Sequence, residues 1–218
     1  MRKAVLFDMD GVLLQSEPIW ISAKTHVLRK HHIPHSRLLS LQTIGLRLDE
    51  VVDYWFAHEQ ALKRERLEKE YLIHEITKSV EHFYERLARP SESLESALKK
   101  LKSNNFILGI ASVSPMRLIQ TFLTKNMLSE YFDHIISGEL VQHSKPDPEI
   151  YLALAHDLGI QPSDCVAIED SLNGLKSVQA AHMRPIFYSK YTHPIGEHLN
   201  IAHHTIDTFK NIPLHLFQ

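Results

Sequence analysis

Two carboxylates one residue apart end a short apolar run near the start of the chain: Ala4-Val5-Leu6-Phe7 leads into Asp8-Met9-Asp10-Gly11. In an extended segment residues i and i+2 project to one side, so Asp8 and Asp10 point together while Met9 points away. Gly11 lets the chain turn sharply with no side chain in the way. Carboxylates this close repel each other, which favours a shared proton or a divalent cation. Magnesium suits them, because it prefers oxygen ligands and commonly bridges carboxylates to a phosphate. A calcium loop fits poorly, since Leu13 stands where such a loop needs glycine. Taken alone, the D-x-D-G pattern is more often a plain acidic turn after a strand.

Other apolar runs end in the same kind of residue. Phe106–Ala111 runs into Ser112-Val113-Ser114-Pro115, which supplies two hydroxyls and the amides that open a helix. That is an anion site by geometry and dipole, or simply a helix cap with Ser114 as N-cap and Pro115 as first helical residue. Cys165–Ile168 ends at Glu169-Asp170-Ser171, with Asn173-Gly174 following. Acids at the start of a helix are often only dipole partners. Lys145 precedes Pro146-Asp147-Pro148, a stiff loop able to hold its ammonium in one place, although most lone lysines are solvated. The joint occurrence matters more than any one of these features.

The elements that must position these residues follow from periodicity. Ala4–Phe7, Phe106–Ala111, Cys165–Ile168, Pro185–Tyr188 and, more weakly, Tyr131–Ile136 read as buried strands. Helices are expected at Ser93–Lys102, Met116–Asn126, Glu149–Leu158 before Gly159, and Leu172–Ala181 after Ser171. The alternation implies an α/β fold, a doubly wound, Rossmann-like parallel sheet with its chemistry beyond the carboxyl ends of the strands. The segment 17–87 breaks the alternation and has no convincing strand. Trp20–Lys30 and Ala61–Arg89 look helical, and the mixed-charge run from Lys63 to Glu70 reads as a solvated helix face. We expect a catalytic core of residues 1–16 and 88–218, with a small helical cap domain of residues 17–87 inserted after the first strand.

The chain has 218 residues, enough for a full domain and a smaller one. Its net charge of -2 includes no basic block, so nucleic acid is not an expected partner. Cys165 is the only cysteine, so no internal disulfide can form and a cytoplasmic location is the default. The N-terminal apolar run is too short for a signal peptide, and no stretch is long enough to span a bilayer. A small phosphorylated metabolite, no membrane and a monomeric state are expected. The 16 histidines are scattered, and His31-His32 and His203-His204 lack metal-site context.

Four stretches together resemble the haloacid dehalogenase-like superfamily, in its subgroup of sugar-phosphate phosphatases and beta-phosphoglucomutases. They are Phe-Asp-Met-Asp-Gly-Val-Leu-Leu-Gln-Ser-Glu-Pro from Phe7, Ile-Ala-Ser-Val-Ser-Pro from Ile110, Ser-Lys-Pro-Asp-Pro-Glu-Ile-Tyr from Ser144, and Ile-Glu-Asp-Ser-Leu-Asn-Gly from Ile168. They occur in family order over nearly the whole chain. The resemblance implies that Asp8 attacks phosphorus and becomes an aspartyl phosphate. It implies that Asp10 protonates the leaving alkoxide and then activates water. Mg²⁺ would be held by Asp8, the Asp10 carbonyl and Asp170, with Glu169 direct or behind them. Ser112, Val113 and Lys145 would bind phosphate oxygens, with Lys145 also neutralising Asp8.

Two positions depart from the pattern. Gln15 stands where relatives carry an acid, which points to altered cap closure or hinge bonding rather than lost chemistry. Trp20 stands near the position of the cap histidine of beta-phosphoglucomutases. An indole cannot shuttle a proton, so hydrolysis is favoured over mutase chemistry. Dehalogenation is disfavoured because that branch lacks the second acid, here Asp10. A catalytically silent phosphosugar-binding regulator fits poorly with Asp8, Asp10, Ser112, Lys145 and Asp170 all present. Arg47, in the segment Gly45-Leu46-Arg47 that corresponds to the family's specificity loop, is the leading cap contact for substrate, with a plain surface arginine as the equal alternative. Lys24 and His26 are weaker candidates.

Overall fold

A computed structural model describes residues 3–33, 43, 46–58, 62, 67–192, 196–210, 212 and 214–217. Gly45 and half of the mixed-charge run, residues 63–66, lie outside the described residues. Ala4–Phe7 forms β1, with every residue buried. It lies at the centre of a parallel sheet with β2 (Ile107–Ser112), β3 (His134–Ser137), β4 (Cys165–Glu169), β5 (Arg184–Tyr188) and β6 (His204–Ile206). The order is β3-β2-β1-β4-β5-β6. Phe7 pairs with Ile110 of β2 on one side and Ile168 of β4 on the other.

Successive side chains on β1 go to opposite faces, and both faces are dry. Val5 and Phe7 join one core with Leu98 and Leu101 of α4 (Leu94–Ser103) and Leu118 and Phe122 of α5 (Met116–Lys125). Ala4 and Leu6 join the other core, with Ile150 and Leu154 of α6 (Glu149–Leu158) and Val178 of α7 (Leu172–Ala180). Gly159 ends α6 in the left-handed region at φ +66°, as its position after the last apolar residue implies. Ser171 caps α7, its Oγ accepting from the Gly174 amide.

Between β1 and α4 the described residues form helices only: α1 (Glu17–Lys30), α2 (Leu48–His58) and α3 (Lys69–Leu87). The stripe Leu72, Ile76, Val80 and Tyr84 buries one face of α3, which packs on α1, α2 and α5. These side chains share a continuous core with Val5 and Phe7, so the helical segment sits firmly on one side of the sheet. Among the described residues no helix is long and apolar enough to cross a membrane.

Three sequence expectations shift. The third strand is His134–Ser137, and Ser129–Tyr131 is instead a 3₁₀ turn. Asp133 fixes that start, its carboxylate and its amide both bonding Leu108 of the neighbouring strand. Pro115 takes the N-cap of α5 in place of Ser114, whose hydroxyl turns to Asp10. The His203-His204 pair opens the short edge strand β6, too exposed to show a strand pattern.

Candidate active site

The chain leaves β1 for one side of the sheet and, after β3, returns to build the other, so the crevice lies where β1 and β4 end side by side. Ligand sites of doubly wound sheets occupy that crevice. Asp8 directly follows β1, its amide donating to Ile168 O at 3.0 Å, and Glu169 and Asp170 end β4 beside it. Gly11 (φ +81°) turns the chain away, and a Cβ there would lie 2.0 Å from Asp170 Oδ2. Only glycine meets both requirements.

Lys145 is the buried hub. Its Nζ donates to Asp8 Oδ1 at 2.7 Å, Glu169 Oε1 at 2.6 Å and Ala111 O at 3.0 Å. Tyr151 of α6 also donates to Glu169 Oε1, at 2.6 Å, and Ser171 reaches its other oxygen at 3.3 Å. A Cβ on Gly174 would strike that carboxylate at 2.0 Å. Burial alone would lower the Lys145 ammonium, but Asp8 and Glu169 outweigh it and hold the group above its ordinary value. Burial pushes the Asp8 carboxyl well up; Lys145 opposes this, while Glu169, Asp10 and Asp170 reinforce it. Asp170 is pushed up to about 7, by burial first and by Glu169 second.

One ammonium thus leaves these acids short of positive charge. Oxygens of Asp8, Glu169 and Asp170 lie within 4.8 Å of one another. Asp170 Oδ2 accepts from Thr192 at 2.9 Å, while Asp170 Oδ1 and Asp8 Oδ2 receive no hydrogen bond from the described residues. An all-oxygen set with two free anionic atoms fits a hard divalent cation such as Mg²⁺. Glu169, already engaged by Lys145, Tyr151 and Ser171, suits a supporting role.

Asp10 is held by a different set. Its Oδ1 accepts from Trp20 Nε1 at 3.0 Å and the Tyr84 hydroxyl at 2.9 Å. Its Oδ2 accepts from Ser114 at 2.7 Å, with Ser112 Oγ at 3.5 Å. The helical segment therefore supplies two of the donors through α1 and α3. Tyr84 is fully buried, and burial with Asp10 beside it keeps its phenol protonated well beyond its ordinary range.

A cavity of about 380 Å³ opens over these groups, within the ~300–1,000 Å³ usual for small-molecule sites. Asp8, Asp10, Lys145, Asp170, Val113, Ser114, Gln15 and Trp20 all line it. Ser112 lies just beneath the surface, fully buried, its Oγ accepting from the Ser114 amide at 3.1 Å.

Arg47 is placed elsewhere. Its guanidinium forks onto Asp49 with two bonds of 2.7 Å and donates to the carbonyls of Gly138 and Val141 at 3.2 Å each. It ties the helical segment to the sheet layer and is not among the residues lining the cavity. His26 is exposed. Tyr84, Tyr151 and Thr192 carried no role in the sequence reading. Tyr84 could have been suspected, because it ends an i+4 apolar stripe with the one side chain there that bears a hydroxyl.

The sheet order and this set of acids, lysine and hydroxyls at its strand ends are those of one protein class. The model of the haloacid dehalogenase-like hydrolases matches residues 5–188, and the chain belongs to that family. Among individual relatives, hexitol phosphatase B of Escherichia coli (strain K12) is 36% identical over 184 residues, covering 84% of this chain and 82% of that protein. A phosphorylated carbohydrates phosphatase of Thermotoga maritima is 31% identical over 192 residues, covering 85% and 84%. The crystal structure of a beta-phosphoglucomutase from Clostridium difficile shares the fold, with a TM-score of 0.83 at 24% identity over 100% of this chain and 96% of that one.

Proposed function

We propose that the chain is a Mg²⁺-dependent phosphatase of small phosphorylated sugars or sugar alcohols, of the hexose or hexitol 6-phosphate type, acting through an aspartyl phosphate on Asp8. The observation that carries this is the division of labour between the two acids. Asp8 has one oxygen fixed by Lys145 and the other without a donor among the described residues, while Asp10 is gripped by donors from both the sheet edge and the helices.

In this reading the free Asp8 oxygen attacks phosphorus and the substrate P–O bond breaks. Asp10 gives its proton to the departing alkoxide, then takes one from the water that cleaves the acyl phosphate. Splitting the reaction lowers each barrier. Lys145 offsets charge on Asp8, and the Ser112 hydroxyl and the Val113 amide would receive the phosphoryl oxygens beside it, where positioning and electrostatics supply most of the catalysis. Asp8 and Asp170, backed by Glu169 and joined by the Asp10 carbonyl, would hold Mg²⁺, which when bound neutralises phosphoryl charge. Residues 17–87 act as a cap that covers the cavity and, through Trp20 and Tyr84, completes the Asp10 site. The Trp20 indole donates a hydrogen bond and does not ionise, which supports transfer to water over transfer between sugar hydroxyls. A cytoplasmic monomer agrees with the single cysteine, buried in β4.

Purified protein with Mg²⁺ is expected to release phosphate from a panel of sugar and sugar-alcohol phosphates, and Asp8→Asn to abolish release with the fold intact. No release across a broad panel would sink the proposal, as would activity retained in Asp8→Asn. Production of glucose 6-phosphate from beta-glucose 1-phosphate would restore the mutase alternative.

A further inference from the structure

The cavity is lined by two cationic side chains among the described residues, Lys145 and Lys24. Lys145 is saturated by two carboxylates and a carbonyl. Lys24, on α1, is different. Its ammonium lies 5.7 Å from the Trp20 ring centroid and 5.8 Å from that of Trp55, between two π faces. It forms no ion pair or hydrogen bond among the described residues. The acids that face it, Glu17 on its own helix and Asp10 across the cavity, act on it only at a distance. The cavity lining from the helical segment includes the apolar Ile21, Leu46, Leu48 and Val51 together with the polar Glu17 and Thr43.

An ammonium held at a partly desolvated wall retains most of its attraction for an anion, because few waters compete. The two indoles offset part of its lost hydration and fix its direction. Lys24 belongs to α1, while the phosphoryl group belongs with Asp8 and Lys145 at the sheet edge, so Lys24 would meet the part of a ligand that the helical segment covers.

We propose that Lys24 binds a second anionic group on the substrate, so that the enzyme selects phosphomonoesters carrying a remote carboxylate or phosphate over neutral sugar phosphates of the same length. The inference rests on the phosphatase reading and, within phosphorylated sugars, moves the preferred substrate from neutral hexose and hexitol phosphates to those carrying a second anion. Burial lowers the Lys24 ammonium to about 8, with Glu17 and Asp10 opposing, so it is charged at neutral pH and still inexpensive to neutralise with a ligand anion.

The test compares three six-carbon phosphates: gluconate 6-phosphate, glucitol 6-phosphate and glucitol 1,6-bisphosphate. With Mg²⁺ present, kcat/KM is expected to favour one or both doubly anionic compounds over glucitol 6-phosphate. A charge-assisted hydrogen bond supports a preference of roughly 10- to 100-fold. Preference for the gluconate identifies a carboxylate as the second anion, and preference for the bisphosphate alone identifies a phosphate. Lys24→Met is expected to collapse the ratio mainly through KM, and Lys24→Arg to keep part of it. A wild-type ratio near one, or a Lys24→Met loss equal for all three compounds, overturns the proposal.

Calorimetric binding of the same compounds to Asp8→Asn with Mg²⁺, with and without Lys24→Met, reads the proposal apart from turnover. Tighter binding of the doubly anionic ligands that vanishes with Lys24 supports it even if no compound is hydrolysed. Equal binding of all three refutes it even if all are hydrolysed. Failure to hydrolyse these compounds and 4-nitrophenyl phosphate alike would count against the phosphatase reading itself.

Discussion

Tyr84→Phe removes one oxygen from the grip on Asp10 and changes little else. The ring is fully buried at the end of the α3 stripe, and phenylalanine fills nearly the same volume, so packing is preserved. What is lost is the 2.9 Å bond to Asp10 Oδ1, a hydrogen bond to a carboxyl group that the proposed reaction takes through its charged form. Such bonds contribute about 1.5–3 kcal/mol. Trp20 and Ser114 continue to hold the carboxylate at 3.0 and 2.7 Å, so the lower end of that range applies. Each ~1.4 kcal/mol is a factor of ten in rate, so kcat should fall about tenfold. KM should change little, because Tyr84 is not among the residues lining the cavity. Steady-state phosphate release measures both, and thermal unfolding shows whether the fold is kept. Trp20→Phe should also slow kcat. The double variant should lose more than the two single losses combined, because Oδ1 is then left without a donor from either helix. If Tyr84→Phe retains kcat within twofold of the parent, or changes KM alone, the idea that the helical segment positions Asp10 is wrong.

Lys145→Met should abolish turnover and cost about 3–5 kcal/mol of stability, since it leaves Asp8 and Glu169 buried without their cation. In a protein of this size that is a fall of roughly 6–20 °C in Tm, and an unchanged melting curve would show the triad to be weakly coupled. Chelation with EDTA should stop phosphate release, and added Mg²⁺ should restore it; metal-independent turnover would contradict the fit of Asp8 and Asp170 to a cation. The preference for doubly anionic substrates should be full well below pH 8 and fade as pH rises through about 8, because Lys24 then loses its proton. A ratio that stays flat through that range would separate Lys24 from the selectivity.

The sequence determined the frame and the floor of the site. Short apolar runs ending in acids, hydroxyls and glycine are a local signal, because a strand buried on both faces must be apolar throughout and must stop where the chain meets the crevice. Asp8, Asp10, Ser112, Glu169 and Asp170 could therefore be read along with β1, β2 and β4. Ser171 and Gly159 could be read as helix ends, because capping depends only on neighbouring residues. Neither β6 nor the bounds of β3 could be read, since exposed edge residues and the Asp133 bond to Leu108 leave no pattern in a linear chain.

Only the tertiary structure decided what the helices contribute. Tyr84 meets Asp10 from 74 residues away. Arg47, which the family resemblance offered as a substrate contact with a plain surface arginine as the equal alternative, is drawn to carbonyls 91 and 94 residues distant. Lys24 was a weaker candidate than Arg47 in the sequence, and only packing sets its ammonium beside two tryptophans, 4 and 31 residues away in the chain. A hydrogen bond or a buried charge is a property of every group around it, and those groups are assembled by packing between elements. That is why the place of the acids at the strand ends was legible in the chain, while the helix residues that reach them were not.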